Sequence, residues 1–82
     1  MFNKTISSRK AVYHWLYERR VHDVGLYFSP DELRDAAAEP YLSAALRFGE
    51  ELGHLESKRG HWRMTAQGML FAESENYVEG GA

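Results

Sequence analysis

The chain has 82 residues, 44% of them apolar, with no cysteine and a formal net charge of −2. That length supports one hydrophobic core and one domain, because chains divide into separate cores only well beyond about 200 residues. The composition excludes a disordered or low-complexity chain. The missing cysteine excludes disulfides, thiolate zinc sites and a cysteine nucleophile, and points to a reducing, cytoplasmic setting. No apolar run approaches the roughly 18 residues of a membrane span, and Met1-Phe2-Asn3-Lys4-Thr5 lacks the apolar core of a signal peptide.

Charge is unevenly spread along the chain. Residues 1–22 carry Lys4, Arg9, Lys10, Arg19 and Arg20 against Glu18, whereas residues 23–56 carry eight acids against Arg34 and Arg47. Residues 57–72 hold Lys58, Arg59 and Arg63 with no acid. The small negative total argues against coating nucleic acid by charge alone, so any basic surface is confined to two segments.

The elements follow in order. Val12, Trp15, Leu16 and Arg19 recur at three-and-four spacing, with Tyr13 and Tyr17 one turn apart beside them. This predicts a helix from Ser8 to about His22, capped by Ser7 or Ser8. Asp23 and Gly25 end it, and Val24 to Phe28 reads as a short extended piece. Ser29-Pro30-Asp31-Glu32 places a serine N-cap, a proline at the first helical position and a glutamate three residues after the cap, which is a capping box. It opens a second helix to about Ala38 that buries Leu33, Ala36 and Ala37. Pro40 suits the first turn of a third helix, running to about Leu52. Leu42, Ala45, Leu46, Gly49 and Leu52 form its buried stripe, flanked by Tyr41 and Phe48, while Ser43, Ala44, Arg47, Glu50 and Glu51 face away. Gly53 stops it.

The apolar period then changes to two. A strand through Leu55 and Ser57, a turn at Lys58-Arg59-Gly60 and a returning His61-Trp62-Arg63-Met64 make a ribbon. Leu55, Trp62 and Met64 point inward; His61 and Arg63 point outward. Thr65 caps a fourth helix to about Glu75, and residues 76–82 read as a flexible tail. The expected organisation is a single α+β, mostly helical domain over residues 1–75. The ribbon must lie on the helices, because two strands alone are marginal.

This order of elements resembles a winged helix-turn-helix domain: a three-helix core, a two-stranded β-wing and a C-terminal helix. The resemblance is carried by residues 46–71, above all by the leucine–glycine–apolar step into the ribbon and by Met64-Thr65-Ala66-Gln67-Gly68, where a strand ends and Thr, two residues and Gly open the last helix. It is similar to small prokaryotic or phage transcription regulators and implies double-stranded DNA as partner. In that family the third helix enters the major groove, which would bring Tyr41, Ser43, Ala44 and Arg47 near base edges. The wing residues Lys58, Arg59, His61 and Arg63 would meet phosphate or the minor groove, with Arg9 and Lys10 on the backbone. A homodimer through the first and last helices would supply specificity that one arginine lacks. Met69, Phe71 and Tyr77 cannot all face one core, leaving one or two of them for a second chain.

Each of these residues also has a plainer reading. Arg47 sits three or four residues from Glu50 and Glu51 and could pair with them locally. The wing cations could merely keep a ribbon edge soluble. Trp15, Trp62 and Phe71 fit the core, whereas Tyr13, Tyr17 and Tyr27 exceed so small a core and point to partial burial or to a protein partner. The histidines His14, His22, His54 and His61 have no metal-ligand spacing, although His54 and His61 could face each other across the ribbon. There is no glycine-rich phosphate loop, nucleophile elbow or His-Glu-x-x-His run, so neither cofactor, metal nor enzymatic activity is expected. The acidic middle of the chain supports a rival, a winged helix that binds a protein and not DNA. The discriminating feature is whether the third helix and the wing form one continuous basic surface.

Overall fold

The computed structural model describes residues 3–78. It is α+β and mostly helical, in the order α1 (Lys4–His22), α2 (Pro30–Leu33), α3 (Tyr41–Glu51), β1 (Leu55–Lys58), β2 (His61–Met64) and α4 (Ala66–Ser74). No helix among the described residues is long and apolar enough to cross a membrane.

Helix α1 begins a turn before Ser8. Asn3 is the N-cap and accepts a 3.2 Å hydrogen bond from the Ile6 N–H, so neither Ser7 nor Ser8 serves as cap. Asparagine caps as well as serine, and the earlier start adds a turn of intrahelical bonds. Arg19, Arg20 and His22 occupy its last turn, where the carbonyl end of the helix dipole favours cations. The Asp23 carboxylate then accepts from the Gly25 N–H at 3.0 Å and turns the chain. Phe28 exchanges two 2.7 Å backbone bonds with Trp62, an isolated antiparallel bridge that attaches the extended segment to the edge of the two-stranded ribbon.

The capping box forms as expected: the Ser29 Oγ accepts from the Glu32 N–H, and Glu32 accepts from the Ser29 N–H at 2.9 Å. Helix α2 is nonetheless a single turn ending at Leu33, followed by turns, and does not reach Ala38. Leu33 and Ala37 are still buried. Pro40, joined to Glu39 by a cis bond, lies at the N-cap of α3 and gives no side-chain cap. The Glu39 carboxylate does that work from outside, accepting from the Ser43 N–H at 2.9 Å and the Ser43 hydroxyl at 2.8 Å.

Leu42, Ala45, Leu46 and Gly49 form the buried stripe of α3. Leu52, expected in that stripe, is exposed, because the helix ends at Glu51 and Leu52 is its C-cap. Gly53 adopts φ +77°, and the His54 and Gly53 N–H groups donate back to the Gly49 and Glu50 carbonyls at 2.8 and 3.1 Å. This αL stop requires glycine at little strain and delivers the chain straight into β1.

The strands pair antiparallel with Leu55 opposite Met64, Glu56 opposite Arg63, Ser57 opposite Trp62 and Lys58 opposite His61. Arg59 and Gly60, at φ +54° and +76°, make the two-residue turn whose twist suits a tight hairpin. Alternation puts Leu55, Ser57, Trp62 and Met64 on the face toward the helices. Leu55 and Met64 are fully buried, each worth about 2 kcal/mol by area, and half-buried Trp62 packs at their edge. Val12, Tyr13 and Leu16 of α1 join them in the core, with Leu33, Ala37, Leu42, Ala45, Leu46, Ala72 and Val78.

Thr65 caps α4 by accepting from the Gly68 N–H at 3.1 Å, while its hydroxyl donates to the Gly53 carbonyl at 2.6 Å. Gly68 lies so close to the chain before β1 that a Cβ there would sit 2.1 Å from the His54 carbonyl oxygen. The spacing of threonine and glycine therefore has a physical cause: one caps the helix and the other lets it approach. Asn76, at φ +58°, ends the helix, and the Tyr77 N–H returns to the Ala72 carbonyl at 2.9 Å. Tyr77 and Val78 pack on the core instead of fraying, so the domain extends to at least Val78. The remainder of the expected flexible tail lies outside the described residues.

Candidate nucleic-acid interface

The outer face of α3 carries Ser43, Ala44 and Arg47, all exposed, with Tyr41 half-buried at its start. Ser43, Arg47 and Glu50 follow one another at about one turn, and with Pro30, Glu39, Leu46 and Trp62 they line a groove of about 260 Å³ between α2, α3 and the ribbon. In the sequence Glu39 reads only as negative charge, Glu50 as an outward-facing acid within reach of Arg47, and Trp62 as core. Their place on this groove depends on the ribbon folding back on α3, a long-range event without a local signal.

Electrostatics of the groove are mixed. Two hydrogen bonds from Ser43 hold the Glu39 carboxyl below the usual carboxylate range. Glu50 accepts from the Ser57 hydroxyl at 2.9 Å, which ties the carboxylate to the inner face of β1. Arg47 makes no ion pair or hydrogen bond among the described residues, so the local pairing with Glu50 or Glu51 that its spacing allowed does not form.

Beyond the groove, the ribbon tip presents Lys58, Arg59 and His61, all exposed. The His61 Nδ1 lies 3.1 Å from the Arg59 carbonyl, bracing the turn, and the Lys58 ammonium lies 6.0 Å from the Tyr27 ring. Arg59 itself makes no side-chain contact of this kind among the described residues. The tip is a short two-residue turn that carries exposed cations.

The remaining arginines are engaged in the fold. Arg63 faces outward, but its guanidinium pairs with Glu56, donates to the Val24 carbonyl and lies 5.0 Å from the Tyr27 ring. That pairing holds the Glu56 carboxyl below its usual range. The Arg9 guanidinium stacks 3.6 Å above the Phe48 ring with its Nε buried, and the Lys10 ammonium lies 5.7 Å from Tyr77. Arg19 lies over Trp15, Arg20 donates to the Met64 carbonyl at 2.6 Å, and Arg34 pairs with Asp31. Among the described residues, Arg47 and Arg59 are the two arginines left uncommitted.

Tyr13 departs from expectation, whereas Tyr17 and Tyr27 are partly buried as one of the two readings had it, with their hydroxyls bonded within the chain. Tyr13 is wholly buried, and its hydroxyl lies 2.8 Å from the His54 Nδ1. His54 is itself buried and stacks on Phe71 at 4.3 Å between centroids, so it does not face His61, which stands at the far end of the ribbon. Burial lowers the pKa of His54 and raises that of Tyr13. Tyr17 and Tyr27 are half-buried and donate to Glu73 at 2.5 Å and to Glu56 at 3.2 Å. Each hydroxyl is thus satisfied inside the chain. Met69, Phe71 and Tyr77 all pack against the core, Phe71 and Tyr77 through the aromatic group formed with Tyr13 and His54. The large apolar residue that α4 exposes is Leu70, at 69%.

Among the described residues, no group of three or more His, Asp and Glu side chains is arranged to hold a metal ion. No protein-family model, curated protein or solved structure matches the chain.

Proposed function

We propose that this chain is a cytoplasmic winged-helix DNA-binding protein that regulates transcription, with α3 in the major groove and the ribbon as wing on the phosphate backbone. The observation that carries the reading is the division of its arginines. Five are engaged in ion pairs, backbone hydrogen bonds or aromatic stacking, and the two left over are Arg47 on the outer face of α3 and Arg59 at the ribbon tip. A guanidinium without an intramolecular partner keeps its full donor set for guanine or phosphate. The working contact set is Arg47 with Tyr41, Ser43 and Ala44 on α3, and Lys58, Arg59 and His61 on the wing. Arg63 and Arg9 support the fold behind it, and exposed Lys10 remains a candidate backbone contact. Two copies joined through α1 and α4, where Ile6 and Leu70 are exposed, would place two such faces on paired half-sites.

One observation favours the rival, a winged helix that binds a protein partner. Glu50, held by Ser57, stands between Arg47 and the ribbon, and Glu39 lies on the same groove, so the basic surface is interrupted. Fluorescence anisotropy on a mixed-sequence duplex at low and moderate salt separates the two. DNA binding requires an affinity that falls with salt and falls further in the Arg47→Ala/Arg59→Ala double variant. Absence of binding at low salt contradicts it and moves the search to protein partners.

A further inference from the structure

We infer that the groove face of α3 is selective for G·C base pairs, with Arg47 donating to guanine O6 and N7 and Glu50 accepting from the cytosine N4 amino group. The inference rests on the DNA-binding reading and deepens it by naming the sequence class. Its starting point is the feature that opposes DNA most directly: acids on the very face that carries Arg47. A carboxylate near a duplex repels phosphate, and it is tolerated where it meets a donor on a base edge. In the major groove a G·C pair offers guanine O6 and N7 as adjacent acceptors and cytosine N4 as donor. An A·T pair puts its amino donor beside N7, so an arginine fork finds one acceptor where guanine supplies two.

The geometry supplies that complement. Arg47 and Glu50 lie three residues apart on one face of α3 and line the same groove, yet they form no ion pair with each other. Glu50 is fixed by the Ser57 hydroxyl on one oxygen, Oε2, which leaves Oε1 for a second donor. Glu39, the other acid of the groove, is occupied by two bonds from Ser43. One unpaired donor fork and one anchored acceptor remain side by side. The Ser57 bond restricts Glu50, while Arg47, which has no partner within the described residues, is ordered on binding.

Anisotropy titrations at low salt with three duplexes, alternating dG·dC, dI·dC and dA·dT, test this directly. Inosine keeps the major-groove edge of guanine and removes its minor-groove amino group, so dI·dC has the major groove of G·C and the minor groove of A·T. The expected result is that dG·dC and dI·dC bind alike, each about tenfold or more tighter than dA·dT. Arg47→Ala should bring dG·dC down to the dA·dT level. Glu50→Ala should narrow the difference by raising affinity for dA·dT, a gain that simple loss of structure does not give. Equal, salt-sensitive affinity for all three duplexes overturns the inference and leaves the DNA-binding reading standing. Grouping of dI·dC with dA·dT also overturns it, by moving the readout to the minor groove. Failure to bind any of the three overturns both.

Discussion

Substituting Gly68 by alanine sets two physical effects against each other, and their difference decides the sign. Gly68 is helical, in the first turn of α4, and glycine there is about 1 kcal/mol worse than alanine by intrinsic helix propensity. Considered locally, Gly68→Ala should stabilise the protein. The structure reverses this. The new Cβ would lie 2.1 Å from the His54 carbonyl oxygen, 2.9 Å from its carbon and 2.9 Å from the Met64 Cγ. The first two are backbone atoms of the segment leading into β1, and that oxygen also accepts from the Thr65 N–H at 2.9 Å. No rotamer change relieves the contact, so α4 must back away and loosen Phe71 and Ala72 from the core. Overpacking of a tight core costs about 1–3 kcal/mol, and a backbone clash belongs at the upper end. After subtracting the propensity gain, Gly68→Ala is expected to destabilise by about 2 kcal/mol, a fall in Tm of about 8–16 °C for a domain of this size. Urea and thermal unfolding followed by circular dichroism check the value. A variant as stable as the parent, or more stable, would refute the close approach of α4 to His54.

The buried Tyr13–His54 pair gives a second test. Tyr13→Phe leaves the His54 Nδ1 without its hydroxyl partner and should cost about 1–3 kcal/mol in urea titrations at neutral pH. Burial lowers the folded-state pKa of His54 beneath its unfolded value of about 6.5, so the unfolded chain binds the extra proton and stability falls as pH drops below about 6.5. That acid-side loss should shrink in His54→Asn, and its persistence at full size in the variant would assign it to other groups. Arg63 and Arg59 separate fold from contact. Arg63→Ala, which removes the Glu56 pair and the Val24 hydrogen bond, should lower stability by about 1 kcal/mol. Arg59→Ala should leave stability within about 0.5 kcal/mol and reduce the salt slope of DNA binding by about one.

Local chemistry made most of the elements legible. The capping box at Ser29, the Gly53 stop, the alternation from Leu55 to Met64 and the Thr65 cap each settle within a few residues, and each forms as read. Where local signals compete, a helix boundary moves by about a turn from the position the sequence suggests. Asn3 was a sufficient cap ahead of Ser7 and Ser8, and the capping box started α2 without sustaining it past Leu33. Long-range contacts were hidden for a different reason. Tyr13 seemed surplus to a small core until His54, 41 residues away, provided a partner for its hydroxyl. Tyr77 became part of the core only through the turn at Asn76. The candidate site was legible as a set of cations but not as a division among them. Which arginines remain free depends on Phe48 lying under Arg9 and on Glu56, Val24 and Tyr27 surrounding Arg63.

The central claim, that the uncommitted cations of α3 and the ribbon tip meet a DNA duplex, is tested most directly by adding duplex to ¹⁵N-labelled protein and following backbone amide shifts. The expected result is salt-sensitive perturbation confined to residues 41–51 and 57–62, with the Arg9 and Arg63 environments unmoved. Shifts gathered instead on α1 and α4, or no shifts at low salt, would contradict it.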